Sequence, residues 1–165
     1  MKANNPKRSA WSLLCVSVSL LALATSANGA PADAQPAEPA LARTMNDADI
    51  AWGPCPPFLP QGCGLAVLHG DAAKPNSDVF LRIPAHAPLP MHWHSSAERM
   101  ILVAGELRVT YQGQPEAVLK PGSYAYGPAK RPHEGMCVSD EACVLFIAFE
   151  GPVDAVAGLP GDAGH

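Results

Sequence analysis

Charge is scarce in this chain of 165 residues: 16% are Asp, Glu, Lys or Arg, and the net charge is −4. No basic patch interrupts that thin distribution, which argues against a nucleic-acid partner, because a phosphate backbone demands clustered Lys and Arg. No stretch carries a long apolar period of 3.6 residues, and 18 Pro are present. A helical bundle is excluded, since Pro breaks helix interiors. Nor does any internal repeat appear, and the length supports about one domain. What is there is sufficient for a core: 48% of the residues are apolar, which excludes global disorder.

The N-terminus reads as a secretory signal. Lys2, Lys7 and Arg8 form a positive region, Trp11 to Ala24 an apolar run, and Thr25 to Ala32 a small-residue stretch. Those are the three parts of a cleavable signal peptide. The run is too short for a membrane span, which needs about 20 apolar residues. Cys15 sits inside the run rather than after it, unlike a lipoprotein cysteine. The expected organisation is a signal peptide over 1–30, a flexible Ala/Pro-rich leader over 31–51, a folded domain over 52–155 with its core at about 64–150, and a flexible tail over 156–165. Cleavage after Ala27, Gly29, Ala30 or Ala32 fits the pattern. Removing 1–30 leaves 8 basic and 15 acidic residues and four of the five cysteines. An acidic protein in a periplasmic or secreted location, with an even cysteine count, is expected to bind neither anionic lipid nor DNA and is permitted disulfides.

Within the domain, short strand signals alternate with turns. They lie at Gly64–Leu68, Val79–Ile83, Arg99–Ala104, Leu107–Tyr111, Ala117–Leu119, Tyr124–Tyr126 and Ala142–Phe149, punctuated by Gly105, Gly113, Pro115 and Pro121-Gly122. Regular short strands with Gly/Pro turns predict an all-β sandwich or barrel. The preceding segment, WGPCPPFLPQGCG over 52–64, is too Pro-rich for a helix. Its Trp52 and Phe58 predict an arm lying against the core.

The chemistry-bearing residues fall in two segments. In Met91-His92-Trp93-His94-Ser95-Ser96-Ala97-Glu98, strand alternation points both imidazoles the same way. Glu98 keeps their parity and enters the face that carries Met100 and Leu102. A carboxylate entering an apolar barrel needs a partner, and a metal shared with the imidazoles would be one. Trp93 and Arg99 have the opposite parity and are expected to face away. The second segment, Pro121 to His133, supplies another imidazole, His133. Tyr124 and Tyr126 share one face and are candidates to line a pocket, or to pack at its rim. Met91 and Met136 read as packing residues, and His69, His86 and His165 as non-ligands.

Cys137 and Cys143 flank a polar turn and would face each other across a hairpin, making them one disulfide candidate pair. Cys55 and Cys63 flank the Pro-rich arm and are the other. Cys137 also lies four residues beyond His133, a parity compatible with a thiolate ligand, and buried free thiols are a third alternative for all four.

The two segments together resemble the cupin motifs. His92, His94, Glu98 and Gly105 fit H-x-H-x(3,4)-E-x(6)-G. Gly122, Pro128 and His133 fit G-x(5)-P-x-G-x(2)-H-x(3)-N, with Lys130 and Cys137 replacing the usual glycine and asparagine, and His86 replacing a glycine upstream. The resemblance is greatest to small single-domain ChrR-like and quercetin-dioxygenase-like cupins, through Val67 to Asp71, Glu98-Arg99 and Glu150 to Asp154. It implies a jelly-roll barrel, the double-stranded β-helix, with His92, His94, Glu98 and His133 holding one divalent transition metal. Three nitrogens and one oxygen suit Mn, Fe, Co, Ni, Cu or Zn. A small-molecule ligand is implied, and a homodimer is compatible with the sequence. Two functions remain open: a metal-dependent enzyme, with an oxygenase leading, and a non-catalytic metal- or small-ligand-binding protein. A decarboxylase would want an additional carboxylate beside the metal, and none is evident.

Overall fold

The computed structural model describes residues 38–161. The expected signal peptide, its cleavage site, most of the leader's first half and His165 lie outside the described residues. The chain divides into two units, Met1–Ala40 and Leu41–His165. No helix of the described residues is long and apolar enough to cross a membrane.

The second unit is all-β. Its strands are β1 (Gly53–Pro54), β2 (Gly64–His69), β3 (Ser77–Ile83), β4 (Pro88–Trp93), β5 (Glu98–Ala104), β6 (Leu107–Tyr111), β7 (Ala117–Leu119), β8 (Tyr124–Gly127), β9 (His133–Cys137), β10 (Cys143–Phe149) and β11 (Val156–Ala157). They form two sheets, in the orders β1-β2-β3-β10-β5-β8 and β11-β4-β9-β6-β7. Every pairing is antiparallel. The non-sequential neighbours β3-β10-β5 and β4-β9-β6 are the long crossovers of a jelly roll.

Alternation decides which residues fill the space between the sheets. On β5, Glu98, Met100 and Leu102 are buried while Arg99, Ile101 and Val103 are exposed. On β6, Leu107, Val109 and Tyr111 point inward. β10 is central to its sheet, and its near-continuous apolar sequence is what a strand covered on both sides requires. These inner faces meet in one core with Val79, Ile83, Leu89 and Phe149.

Three segments carry structure that the sequence reading did not assign. Pro54 takes part in β1, tolerated because β1 is an edge strand that leaves one side unpaired. The segment expected as a flexible tail contributes β11, with Val156 opposite Trp93 and Ala157 opposite His92. The described part of the leader is tied down locally: Thr44 bonds Asp47 through both its backbone N–H (3.0 Å) and its hydroxyl (2.6 Å), and Arg43 pairs with Asp49.

The arm lies on the barrel as its large apolar residues predict. Trp52 stacks on Phe80 at 6.4 Å, the Arg82 guanidinium lies 4.3 Å from the Trp52 ring centre, and Leu59 is buried. Disulfides join Cys55 to Cys63 and Cys137 to Cys143, each across 5.7 Å between Cα atoms. The alternatives of a Cys137 thiolate ligand and of free thiols are thereby set aside.

Candidate metal centre

The four residues singled out by spacing come together from both sheets. His92 lies near the end of β4 and pairs at Cα with His133, the first residue of β9, in the neighbouring strand. Their ring centres are 4.2 Å apart. His94 lies just past β4, and Glu98 opens β5 in the opposite sheet. The register shift between Leu89 and His92 re-aims the strand end, a known effect of a β-bulge beside a site. All four are buried, at 5%, 8%, 2% and 6% exposure for His92, His94, Glu98 and His133.

Each imidazole is held in one tautomer. A carbonyl only accepts, so the nitrogen facing it must carry the proton. Nδ1–H of His92 donates to Pro90 O at 2.7 Å, that of His133 to Arg131 O at 3.1 Å, and that of His94 to Asp154 O. All three Nε2 lone pairs are left free, the arrangement a metal-ligating histidine needs. Glu98 faces two of them, Oε2 at 3.4 Å from His94 Nε2 and Oε1 at 3.5 Å from His133 Nε2. One ligand atom from each histidine lies within 4.8 Å of the others. Glu98 has its seat against Gly127, directly opposite on β8: a Cβ there would come within 2.7 Å of Oε1.

Burial sets the electrostatics. It depresses His92 to about 4, against the modest upward pull of the Pro90 bond, and His133 to about 3, with His92 adding repulsion. Both imidazoles are neutral at ordinary pH. Burial raises the Glu98 carboxyl. With Glu98 ionised, the form a bound cation would favour, the cluster gathers three imidazole lone pairs and a carboxylate, all acceptors. Glu98 Oε1 is buried without a hydrogen-bond partner. A buried set of acceptors lacking a donor fits a cation, and a mixture of nitrogen and oxygen ligands fits a divalent transition metal.

The centre forms the polar pole of a cavity of about 120 Å³. Leu89, Met100, Leu107, Leu145, Ile147 and Phe149 supply much of the remaining wall. Cys55, Pro56 and Leu59 of the arm complete it, with Phe58 packing on the His92 ring at 5.9 Å.

Other candidates lie elsewhere. Tyr124 and Tyr126, offered as pocket residues, do share a face, but it is the outer one: they are 60% and 50% exposed and pair with Ile101 and Arg99. Neither lines the cavity. His86 meets Asp140 at 3.0 Å on the surface, and Arg99 faces outward to Glu150. Two residues near the site were not picked out by the sequence reading. Asp154 lines the cavity, and its Oδ1 accepts from the Ser95 N–H at 2.9 Å. Tyr111 is buried with its ring 5.1 Å from that of His133, and its hydroxyl has no partner. Burial and the nearby Glu98 charge both raise its phenol. The inward parity of Tyr111 was readable from Leu107 and Val109, but Asp154 reaches the site through a loop that carries no period.

The family model of the cupin domain matches residues 79–149. No curated protein matches the chain. Among solved structures, that of the DMSP lyases RdDddP and RnDddQII superposes with a TM-score of 0.57 at 16% identity, covering 66% of this chain and 62% of that one. DMSP lyase DddQ from Ruegeria pomeroyi gives 0.57 at 20% identity, covering 70% and 64%. An RmlC-like cupin from Shewanella frigidimarina gives 0.52 at 19%, covering 64% and 86%. The chain thus spans less than two thirds of either lyase structure, and at these identities the likeness is one of fold. With the domain match covering β3 to β10 and two antiparallel sheets enclosing a three-histidine cluster, the chain is a small cupin-domain protein.

Proposed function

We propose that this protein is an exported metal-binding cupin that takes a small molecule into its barrel and, with a redox-active metal, acts on it as an oxygenase. The observation that carries the reading is the buried cluster of three inward-facing imidazole nitrogens and the Glu98 carboxyl, from His92, His94, His133 and Glu98, at one pole of an apolar cavity. A divalent transition metal held there would supply Lewis acidity and, for Fe, Mn or Cu, electron transfer. The chain's own contribution is positional. The carbonyls of Pro90, Asp154 and Arg131 fix the three rings, and the apolar walls exclude water from the bound molecule. Export is supported by the N-terminal pattern, and the two disulfides fit an oxidising compartment.

A second reading, non-catalytic binding, is favoured by one observation. Beyond the four ligands, Asp154 is the only acid–base side chain among the described residues of the lining, the disulfide-bonded Cys55 having no thiol to titrate. Metal analysis of protein purified from the periplasm, followed by oxygen-uptake assays with catechols, flavonols and diketones, separates the two. Substrate-dependent oxygen uptake is expected. Bound metal without turnover would favour the binder, and absence of metal would overturn both. N-terminal sequencing of that material should find a start between Asn28 and Asp33; a chain that keeps Met1 in the cytoplasm would overturn export.

A further inference from the structure

The cavity is chemically one-sided. Among the described residues that line it there is no Lys, Arg, Ser, Thr, Asn, Gln or Tyr. Its polar side chains are the four metal-site residues and Asp154. Asp154 belongs to the same pole, because its carbonyl accepts from the His94 ring and its carboxylate from the Ser95 N–H. Every lining side chain beyond that pole is hydrocarbon, thioether or disulfide sulfur.

Two constraints on a ligand follow. A molecule with several hydroxyls would bury them against leucine and valine side chains with nothing to accept or donate, and an unpaired buried polar group costs binding energy. Charge is constrained as well. Glu98 and Asp154 at the pole already match the two charges of a divalent ion, and the wall offers no other cation. One oxygen head can still bind the ion directly, because an ion–oxygen bond replaces its water. A second anionic group, at the far end of the same molecule, would lie in a low-dielectric wall without a partner.

We infer that the cavity is built for a small molecule with one metal-seeking oxygen head, such as a carboxylate or enolate, and a hydrocarbon body, and that it rejects dicarboxylates and polyols. This rests on the metal reading above, so the test separates the two. The full protein is loaded with Co(II), whose visible absorption bands report the inner coordination, and titrated with the straight-chain acids from acetate to hexanoate, then with succinate, glutarate and 5-hydroxypentanoate. Affinity is expected to rise about fourfold per added methylene until the cavity is filled. Glutarate should bind at least about tenfold more weakly than pentanoate, which differs from it by the second carboxylate. 5-Hydroxypentanoate should bind more weakly than hexanoate, whose terminal methyl its hydroxyl replaces. A flat series, or dicarboxylates binding as tightly as the monoacids, would overturn the inference while leaving the metal centre in place. Failure of Co(II) to bind would overturn both.

Discussion

The two ends of β9 are equally buried and held in opposite ways. At one end, Cys137 is fully enclosed, paired across β6 with Leu107 and covalently tied to Cys143. The turn behind it is packed without slack. Gly105 sits at φ +82°, where only glycine is unstrained, and a Cβ there would come within 2.8 Å of Cys143 Sγ. At the other end, His133 faces His92, His94 and Glu98, and both the Glu98 Oε1 and Tyr111 hydroxyl atoms are buried without partners. One end is complete from the protein's own atoms, and the other leaves buried polar atoms that a cation at Glu98 would help to satisfy. The disulfide and the candidate metal centre therefore lie at separate ends of one five-residue strand, and the first can compensate for the unfavourable burial at the second.

That contrast can be broken most directly at the open end. His133→Ala should weaken metal binding by at least about 100-fold, more than loss of an outer partner typically does, as measured by competition with a chromophoric chelator. Retained affinity would mean that β9 does not contribute to the centre.

The pH dependence of the metal-free protein comes next. Unfolded histidine takes up a proton near 6.5, whereas folded His92 resists until about 4 and His133 until about 3. The unfolded state binds more protons throughout that window, so stability is present above it and falls with pH, by up to about 1.4 kcal/mol per unit for each imidazole. Glu98 acts in the opposite sense, because its raised carboxyl protonates more readily in the folded state. Urea unfolding of the chelator-treated protein at pH 7, 6 and 5 should show a net decline, and a stability that rises toward pH 5 would contradict the assignment of buried neutral imidazoles.

At the closed end, replacing Cys137 and Cys143 together by Ser should lower unfolding free energy by about 2–3 kcal/mol in the chain-entropy estimate. Metal affinity should change no more than a few-fold. A large loss of metal in that double variant would show the two ends to be coupled. The smallest effect is expected at the outer face: Tyr124→Ala and Tyr126→Ala should each shift stability by no more than about 0.5 kcal/mol and leave the chelator competition curve unchanged.

Those two tyrosines also mark where sequence stops being informative. Alternation told correctly that they share a side but not which side, because that depends on the register of β8 against β5. Tyr126 pairs with Arg99, and Gly127 with Glu98, so it is the glycine and not the tyrosines that faces the site. His92, His94 and Glu98 were legible because their parity was tied to an apolar strand whose buried face was already evident from Met100 and Leu102. The short pairs β1 and β11 were not legible, since two residues carry no period. Asp154 was missed for a related reason. Its place follows from a hydrogen bond to a ring 60 residues away in sequence, and no local pattern encodes such a bond.

The arm has a consequence for how such a barrel can diversify. Cys55, Pro56 and Leu59 supply one wall of the cavity from a segment that precedes the family match at 79–149. The Cys55–Cys63 bridge closes it on itself. The intervening seven residues, Pro56 to Gly62, lie outside every barrel strand, so rewriting them would change the cavity wall at Leu59 and the packing of Phe58 on His92 while leaving the strands as they are. New ligand preferences could be grafted onto the same metal-ligating scaffold by loop replacement alone, much as a socket accepts different fittings.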